Sequence, residues 1–401
     1  MTPVPLPEGP CSHAVIWDPG FLDYDFGPHH PFTERSRAFA VSLLDACGFF
    51  EPSSGGRRIG PVLPASRAAL EGFHTRGYLD RLEEISWDPR GRALDGGDTP
   101  AFPGCYEASA RIVGGTLACL HAIQAGEVDH ALNPAGGLHH AHPSGASGFC
   151  ILNDLAVTLR QALDGPDRYA RVAYLDIDAH HGDGVMSGFY EDGRVLDIDI
   201  HQDGRTLFPG TGFPAESGKG DGAGLKVNLP LPAGAGDEAV LPLFDRVVPL
   251  LLREFRPGLI VLQTGVDAHA GDPLAHLQYT LAGYRQLVGR VHSLAHELCE
   301  GRLLQTGGGG YLAENVSRVL AATASDMAGR SVYRRAGQPL PASWRADFES
   351  VFGYPSPRHW EDGVPLSRSP WRKESEEDLV HRLEESLGVR FPDPGTASDQ
   401  R

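Results

Sequence analysis

Residues 176–184 read Asp-Ile-Asp-Ala-His-His-Gly-Asp-Gly and directly follow the apolar run Val172-Ala173-Tyr174-Leu175. Carboxylates and imidazoles thus crowd the end of what reads as a buried strand. Burying such groups is costly unless something offsets their desolvation. A divalent cation does so, because metal ligands are deprotonated and the ion neutralises them. A second β-rich run ends in Gly265-Val266-Asp267-Ala268-His269. Asp178, His180 and Asp267 then make a mixed nitrogen and oxygen donor set. Three protein ligands with one open position is the arrangement of catalytic zinc, which lowers the pKa of a bound water and polarises a carbonyl. Iron(II), cobalt or manganese would accept the same donors.

Other strand ends carry complementary chemistry. His139 and His140 follow Pro134-Ala135-Gly136-Gly137-Leu138. One of them can act as general base toward metal-bound water. Each needs a carboxylate to fix its tautomer, and Asp176 and Asp183 are spare for that task. Tyr311 follows four glycines, which permit close backbone approach, and its hydroxyl can hydrogen-bond a developing oxyanion. Phe149 and Phe208 lie in Gly148-Phe149-Cys150 and Leu207-Phe208-Pro209 and could wall a narrow slot for an aliphatic chain. His142 reads as a surface residue.

The elements that must position these groups alternate along the chain. Candidate strands are Ala14–Trp17, His130–Asn133, Val172–Asp178, Val195–Ile200, Gly258–Thr264 and Arg302–Thr306. Helical patterns cover Tyr106–Ala125, Asn153–Leu163, Glu238–Phe255 and Leu281–Leu298. This alternation predicts an α/β fold with a mainly parallel sheet and helices on both faces. In such a sheet the carboxyl ends share one edge, so the polar clusters after four strands converge on one crevice. Long loops, 88–104 and 201–212 among them, would form its rim.

Bulk properties narrow the function. The chain has 401 residues, 41% hydrophobic and 22% charged, with a formal net charge of -17, which suits one large globular domain. An acidic surface argues against nucleic acid as a partner. Six cysteines show no C-x-x-C spacing, so a reducing cytoplasm is the plain expectation. Neither a signal peptide nor a membrane-spanning run is read. The expected domain plan is an N-terminal tail over 1–12, one catalytic domain over 13–375 and a partly disordered C-terminal extension over 376–401.

From about Tyr24 to Trp344 the chain resembles the zinc-dependent histone deacetylase superfamily, most closely its bacterial acetoin-utilisation protein deacetylases. The resemblance is carried by Gly136–Ala141, Ala146–Asp154, Asp176–Gly184, Leu207–Gly212, Asp267–His269 with Asp272-Pro273-Leu274, and Gly307–Tyr311. The subgroup rests on Asp98–Gly104 and Asp272–Leu277. The resemblance implies the arginase–deacetylase fold, with a central eight-stranded parallel sheet between helices. It implies zinc on Asp178, His180 and Asp267. It makes His140 the general base and acid, oriented by Asp183, and His139 its electrostatic partner, backed by Asp176. Tyr311 would polarise the acetyl carbonyl. Phe149 and Phe208 would wall an acyl-lysine tunnel with Gly148 and Leu274 beside them, and Asp98 would accept hydrogen bonds from the substrate backbone. A structural potassium ion is implied near Asp176, Asp178 and His180, where Asp199 replaces the family's usual serine. The tunnel-floor arginine is Arg35 or Arg37.

The function so implied is hydrolysis of Nε-acetyl-lysine in proteins to lysine and acetate, by attack of metal-bound water. The subgroup suggests a metabolic substrate protein such as an acyl-CoA synthetase. Acetylpolyamines or other small amides are the alternative substrates. A silent acetyl-lysine binder is a third reading, opposed by the intact donors, both histidines and Tyr311. Expected absences are nucleic-acid and membrane partners.

Overall fold

Short apolar runs ended by glycine or aspartate make the sheet. The structure, a computed structural model, describes residues 11–392 apart from 52–55, 336, 362, 364–365 and 367–368. Among the described residues eight strands form one sheet: β1 (His13–Ile16), β2 (Gly56–Ile59), β3 (His130–Asn133), β4 (Val172–Asp176), β5 (Val195–Gln202), β6 (Lys226–Leu231), β7 (Leu259–Gln263) and β8 (Leu303–Thr306). The strand order is β2-β1-β3-β8-β7-β4-β5-β6, and every pairing is parallel. The helices are α1 (Arg35–Ala46), α2 (Arg67–Leu70), α3 (Arg76–Trp87), α4 (Cys105–Gln124), α5 (Asp154–Asp164), α6 (Asp183–Gly188), α7 (Asp237–Phe255), α8 (Leu281–Cys299), α9 (Ala313–Met327), α10 (Ala342–Phe352) and α11 (Lys373–Leu387).

Two apolar cores cover the two faces of the sheet. Val172 and Tyr174 of β4 join α3, α4 and α5 in one core. Ala173 and Leu175 join α1, α7, α8 and α9 in the other. Alternate residues of one strand face opposite ways, so a strand covered on both sides reads as continuously apolar. β4 and β7 show this most clearly, whereas interior β5, Val-Leu-Asp-Ile-Asp-Ile-His-Gln, alternates apolar and polar residues. The two strands that the sequence reading did not single out, β2 and β6, are the sheet edges. β2 reads Gly-Arg-Arg-Ile with both arginines exposed. β6 carries Pro230, which is compatible with a strand only where a ladder hydrogen bond can be missing.

The C-terminal helix α11 buries Leu379, Val380 and Leu383, and Glu376 and Glu377 pair with Arg246 of α7. The boundary expected at 376 therefore falls inside a packed helix. Residues 393–401 and 1–10 lie outside the described residues. No helix among the described residues is long and apolar enough to cross a membrane.

Glu34, just before α1, is buried, and neither carboxylate oxygen has a hydrogen-bond partner. Burial pushes its pKa up to about 8, against the opposing pull of Arg37. A raised folded-state pKa means that the folded chain holds a proton the unfolded chain has released. The associated stability is complete below the ordinary glutamate value and is lost as pH rises through about 8. The Glu34→Gln variant is expected to melt a few degrees higher than the parent at pH 9 and at the same temperature at pH 4. Equal melting temperatures at both pH values would show that burial does not raise the Glu34 pKa, and a lower melting temperature for Glu34→Gln at pH 9 would show a carboxylate ionised and paired with Arg37.

Candidate active site

Four strands adjacent in the sheet, β3-β8-β7-β4, deliver the chemistry. His139 and His140 follow β3, Tyr311 follows β8, Asp267 follows β7, and Asp176 ends β4 ahead of Asp178, His180 and Asp183. Parallel strands place all four exits on one edge.

At the centre, ligand atoms of Asp178, His180 and Asp267 lie within 4.8 Å of one another. His180 Nδ1 stands 2.9 Å from Asp267 Oδ2 and 3.3 Å from Asp178 Oδ1. The opposite carboxylate oxygens are held from behind. Asp178 Oδ2 accepts from Gln263 Nε2 at 2.7 Å and from the Gly309 N–H at 2.8 Å. Asp267 Oδ1 accepts from the Ala179 N–H at 2.8 Å. Gly309 is required for this approach: a Cβ there would meet Asp267 Oδ2 at 1.9 Å. Two carboxylates and an imidazole, all buried and aimed at one point, are a donor set that a divalent cation neutralises. The residues present fit such an ion.

The two histidines beside this triad are differentiated by their partners. His139 Nδ1 donates to Asp176 Oδ2 at 2.8 Å, and the Tyr174 hydroxyl donates to the same oxygen. His140 Nδ1 donates to Asp183 Oδ1 at 2.7 Å. The Nε2 atoms of the two rings face each other at 3.1 Å. Burial disfavours a charge on His139, but the Asp176 and Asp178 carboxylates outweigh it and lift its pKa to about 10. Burial and then the charge on His139 hold His140 down, to about 4. His140 is therefore the neutral ring. Its Nδ1 proton is committed to Asp183, so Nε2 carries the basic lone pair, which meets the His139 Nε2 at 3.1 Å.

Phe32, Gly148, Phe149, Gly308 and Tyr311 line a narrow cavity over the triad and the two histidines. The Phe149 and Tyr311 rings meet edge to face at 5.9 Å between centroids. The Phe208 ring, 45% exposed, lies 5.0 Å from that of His140. Phe149 holds a left-handed backbone with φ of +68°, a strained state for an aromatic residue. Tyr24 and Thr99 hold it there: the Tyr24 hydroxyl donates to the Phe149 carbonyl at 2.6 Å, and the Phe149 N–H donates to Thr99 Oγ1 at 3.0 Å. Asp98, next to Thr99, is exposed on the same loop, and its carbonyl accepts from His30 Nε2 at 3.1 Å. Leu274 is half-buried, and its N–H donates to Asp272 Oδ1.

The structure decides several points that residue types and spacing left open. Arg37 is buried, stacks on Phe32 and donates to the Gly308 carbonyl, whereas Arg35 is exposed. Arg37 is thus the arginine beneath the cavity. His142, expected at the surface, is half-exposed and approaches Asp183 Oδ2 at 3.2 Å with its Nε2, so it shares the carboxylate that orients His140. Asp199 is engaged on both oxygens, by the Gly182 N–H at 2.6 Å and by His201 Nδ1 at 2.6 Å.

Sequence reasoning missed Gln263, Tyr174 and Asp272 as supports. Asp272 accepts from the Tyr311 N–H at 3.0 Å and from Leu274, joining two loops. The signal that was available is their position: Gln263 is a polar residue inside an otherwise apolar strand, and buried polar groups need partners.

The histone deacetylase domain model matches residues 30–327. Among curated relatives, an acetoin utilization protein, AcuC, of Bacillus subtilis is 35% identical over 369 residues, covering 89% of this chain and 92% of its own. A probable deacetylase of Archaeoglobus fulgidus is 35% identical over 307 residues, covering 75% of this chain and 82% of its own. The AcuC of Staphylococcus xylosus is 32% identical over 377 residues, covering 91% and 95%.

Proposed function

The chain belongs to the histone deacetylase domain family, and from that premise we propose that it hydrolyses the amide of Nε-acetyl-lysine in proteins with zinc held by Asp178, His180 and Asp267. The observation that carries the reading is the meeting of this donor triad with His140, paired with Asp183, at the foot of a narrow aromatic-walled cavity. When bound, the ion supplies a Lewis acid for the acetyl carbonyl and acidity for the attacking water.

The chain's own residues do the rest. His140 Nε2 takes the proton of the attacking water and returns it to the departing lysine amine. Asp183 keeps the ring in the required tautomer. His139, held cationic by Asp176, adds positive charge beside the oxyanion as it forms. Burial and then the Asp267 and Asp178 carboxylates raise the Tyr311 pKa well above the ordinary phenol value, so its hydroxyl stays a hydrogen-bond donor to that oxyanion. Phe149 and Phe208 flank the aliphatic stem, and Asp98 on the exposed loop accepts hydrogen bonds from the substrate backbone.

An exposed carboxylate at the mouth supports a protein substrate. The relatives named for acetoin utilization support an acetylated enzyme of carbon metabolism, such as an acyl-CoA synthetase. All six cysteines are free, which supports the cytoplasm as the compartment. A potassium ion beside Asp176 belongs to the same reading. Asp199 is left out of its ligands because Gly182 and His201 already engage it.

The test is release of acetate from a short Nε-acetyl-lysine peptide by zinc-loaded protein, beside N-acetylspermidine at equal concentration. Turnover of the peptide is expected, with a loss of about 10²–10³-fold in kcat for Tyr311→Phe. Preferred turnover of N-acetylspermidine would replace the protein substrate with a small amide. No turnover of either by the metal-loaded chain would count against the enzyme reading.

A further inference from the structure

A second group of ligand-type side chains lies at the opposite end of the sheet. Cys11 stands two residues ahead of β1, and His130 is the first residue of β3. His292 and His296 are one turn apart on α8, a spacing that puts both on one helix face. The four come from segments remote in sequence, yet their ligand atoms lie within 4.8 Å of one another. His292 Nε2 is 2.8 Å from His130 Nε2, and His296 Nε2 is 3.2 Å from His130 Nε2 and 3.1 Å from His292 Nε2. The Cys11 sulfur is 3.6 Å from His292 Nε2 and 3.4 Å from His296 Nε2.

Hydrogen bonding does not account for this packing. A proton shared by two of three facing ring nitrogens leaves the third lone pair aimed at its neighbours. A tetrahedral ion does account for it. Zinc bonds of about 2.05 Å to nitrogen and about 2.3 Å to sulfur set the nitrogens about 3.3 Å apart and the sulfur about 3.6 Å from each of them. The observed separations approach that shape.

The surroundings suit the same occupant. Cys11, His130 and His292 are buried and His296 is partly exposed, which leaves an entry path. A thiolate and three neutral imidazoles around a divalent ion carry one net positive charge. Asp129 stands beside them and fixes the segment next to Cys11 by accepting from the Ser12 N–H at 2.9 Å and the Ser12 hydroxyl at 2.8 Å.

We propose that Cys11, His130, His292 and His296 form a closed, structural site for a tetrahedral divalent transition ion such as zinc, separate from the donor triad at the carboxyl ends of the strands. Four protein ligands leave no open position for chemistry. The ion clasps the chain ahead of β1 to β3 and to α8.

Cobalt(II) is the probe. The full chain is stripped with a chelator, reloaded with cobalt, and read by metal content and near-ultraviolet absorption. Two cobalt ions per chain are expected, with a thiolate-to-cobalt charge-transfer band. The triad of Asp178, His180 and Asp267 contains no sulfur and cannot produce that band. Cys11→Ser and His296→Gln are each expected to bind one ion fewer and to melt several degrees lower. Cys11→Ser loses the band, and its acetyl-lysine hydrolysis stays unchanged. His296 is partly exposed, so its glutamine variant covers the case in which Cys11→Ser fails to fold. One cobalt with the thiolate band would support this site and count against the triad as a metal site. Absence of the band in the parent protein, or a band unchanged in Cys11→Ser, overturns the proposal.

Discussion

Replacing His140 with alanine is expected to lower kcat by about 10²–10⁴-fold while the protein keeps its full complement of metal at the triad. The two parts of this result have separate origins. The triad donors are Asp178, His180 and Asp267, and their far oxygens are fixed by Gln263, Gly309 and Ala179. None of these supports passes through His140, so removing its ring leaves the donor set intact. What is lost is the Nε2 lone pair, which is available because Nδ1 is committed to Asp183 at 2.7 Å and because burial and His139 keep the ring neutral. His139 does not replace it, since that ring is tied to Asp176 rather than to Asp183. The check is steady-state acetate release together with metal analysis of the same preparation. Loss of the metal along with activity would show that His140 holds the ion rather than moving the proton. Full activity with full metal content would remove it from the mechanism.

Replacing Gly148 with alanine is expected to cost about 10²-fold in kcat through a displacement of about 1 Å, with an unchanged fold. Gly148 adopts φ of +52°, and a Cβ there would lie 2.5 Å from His140 Cδ2 and 2.9 Å from Phe208 Cε1. The two neighbours differ in their freedom to yield. His140 is tied to Asp183, and moving it breaks the geometry that makes it a base. Phe208 is the more exposed of the two, so part of the strain would open that wall. The following residue, Phe149, is itself left-handed, so the turn has no slack to absorb the methyl group. Gly145→Ala is the matched control: a Cβ at Gly145 meets nothing within 4 Å, and activity should be retained. The two variants assayed side by side, with circular dichroism on both, check the argument. Equal activity would mean that the turn relaxes and that His140 is not positioned by it.

Much of this protein was legible in its residues because the information is local. A strand covered on both faces is predominantly apolar, as β4 (Val-Ala-Tyr-Leu-Asp) and β7 (Leu-Ile-Val-Leu-Gln) show. A carboxylate or imidazole at the end of such a strand needs a compensating partner, so Asp178, His180, Asp267, His139 and His140 declare themselves by type. The edge strands β2 and β6 did not, since an edge tolerates arginine and proline that an interior strand rejects.

Tertiary structure alone decided which of these groups meet. Residues 139 and 311 line one cavity because β3 pairs with β8, and residues 178 and 267 share one centre because β4 pairs with β7; neither pairing is written in hydrophobic period or residue type. The choice of Arg37 over Arg35 is a matter of which face of α1 turns inward. The roles of Gln263 behind Asp178 and of Asp272 beneath Tyr311 depend on side chains reaching across from separate loops and strands. The cluster of Cys11, His130, His292 and His296 is the clearest case. Each of its residues is unremarked along the chain, and only the packing of α8 over the amino ends of β1 and β3 brings the four ligand atoms to one point.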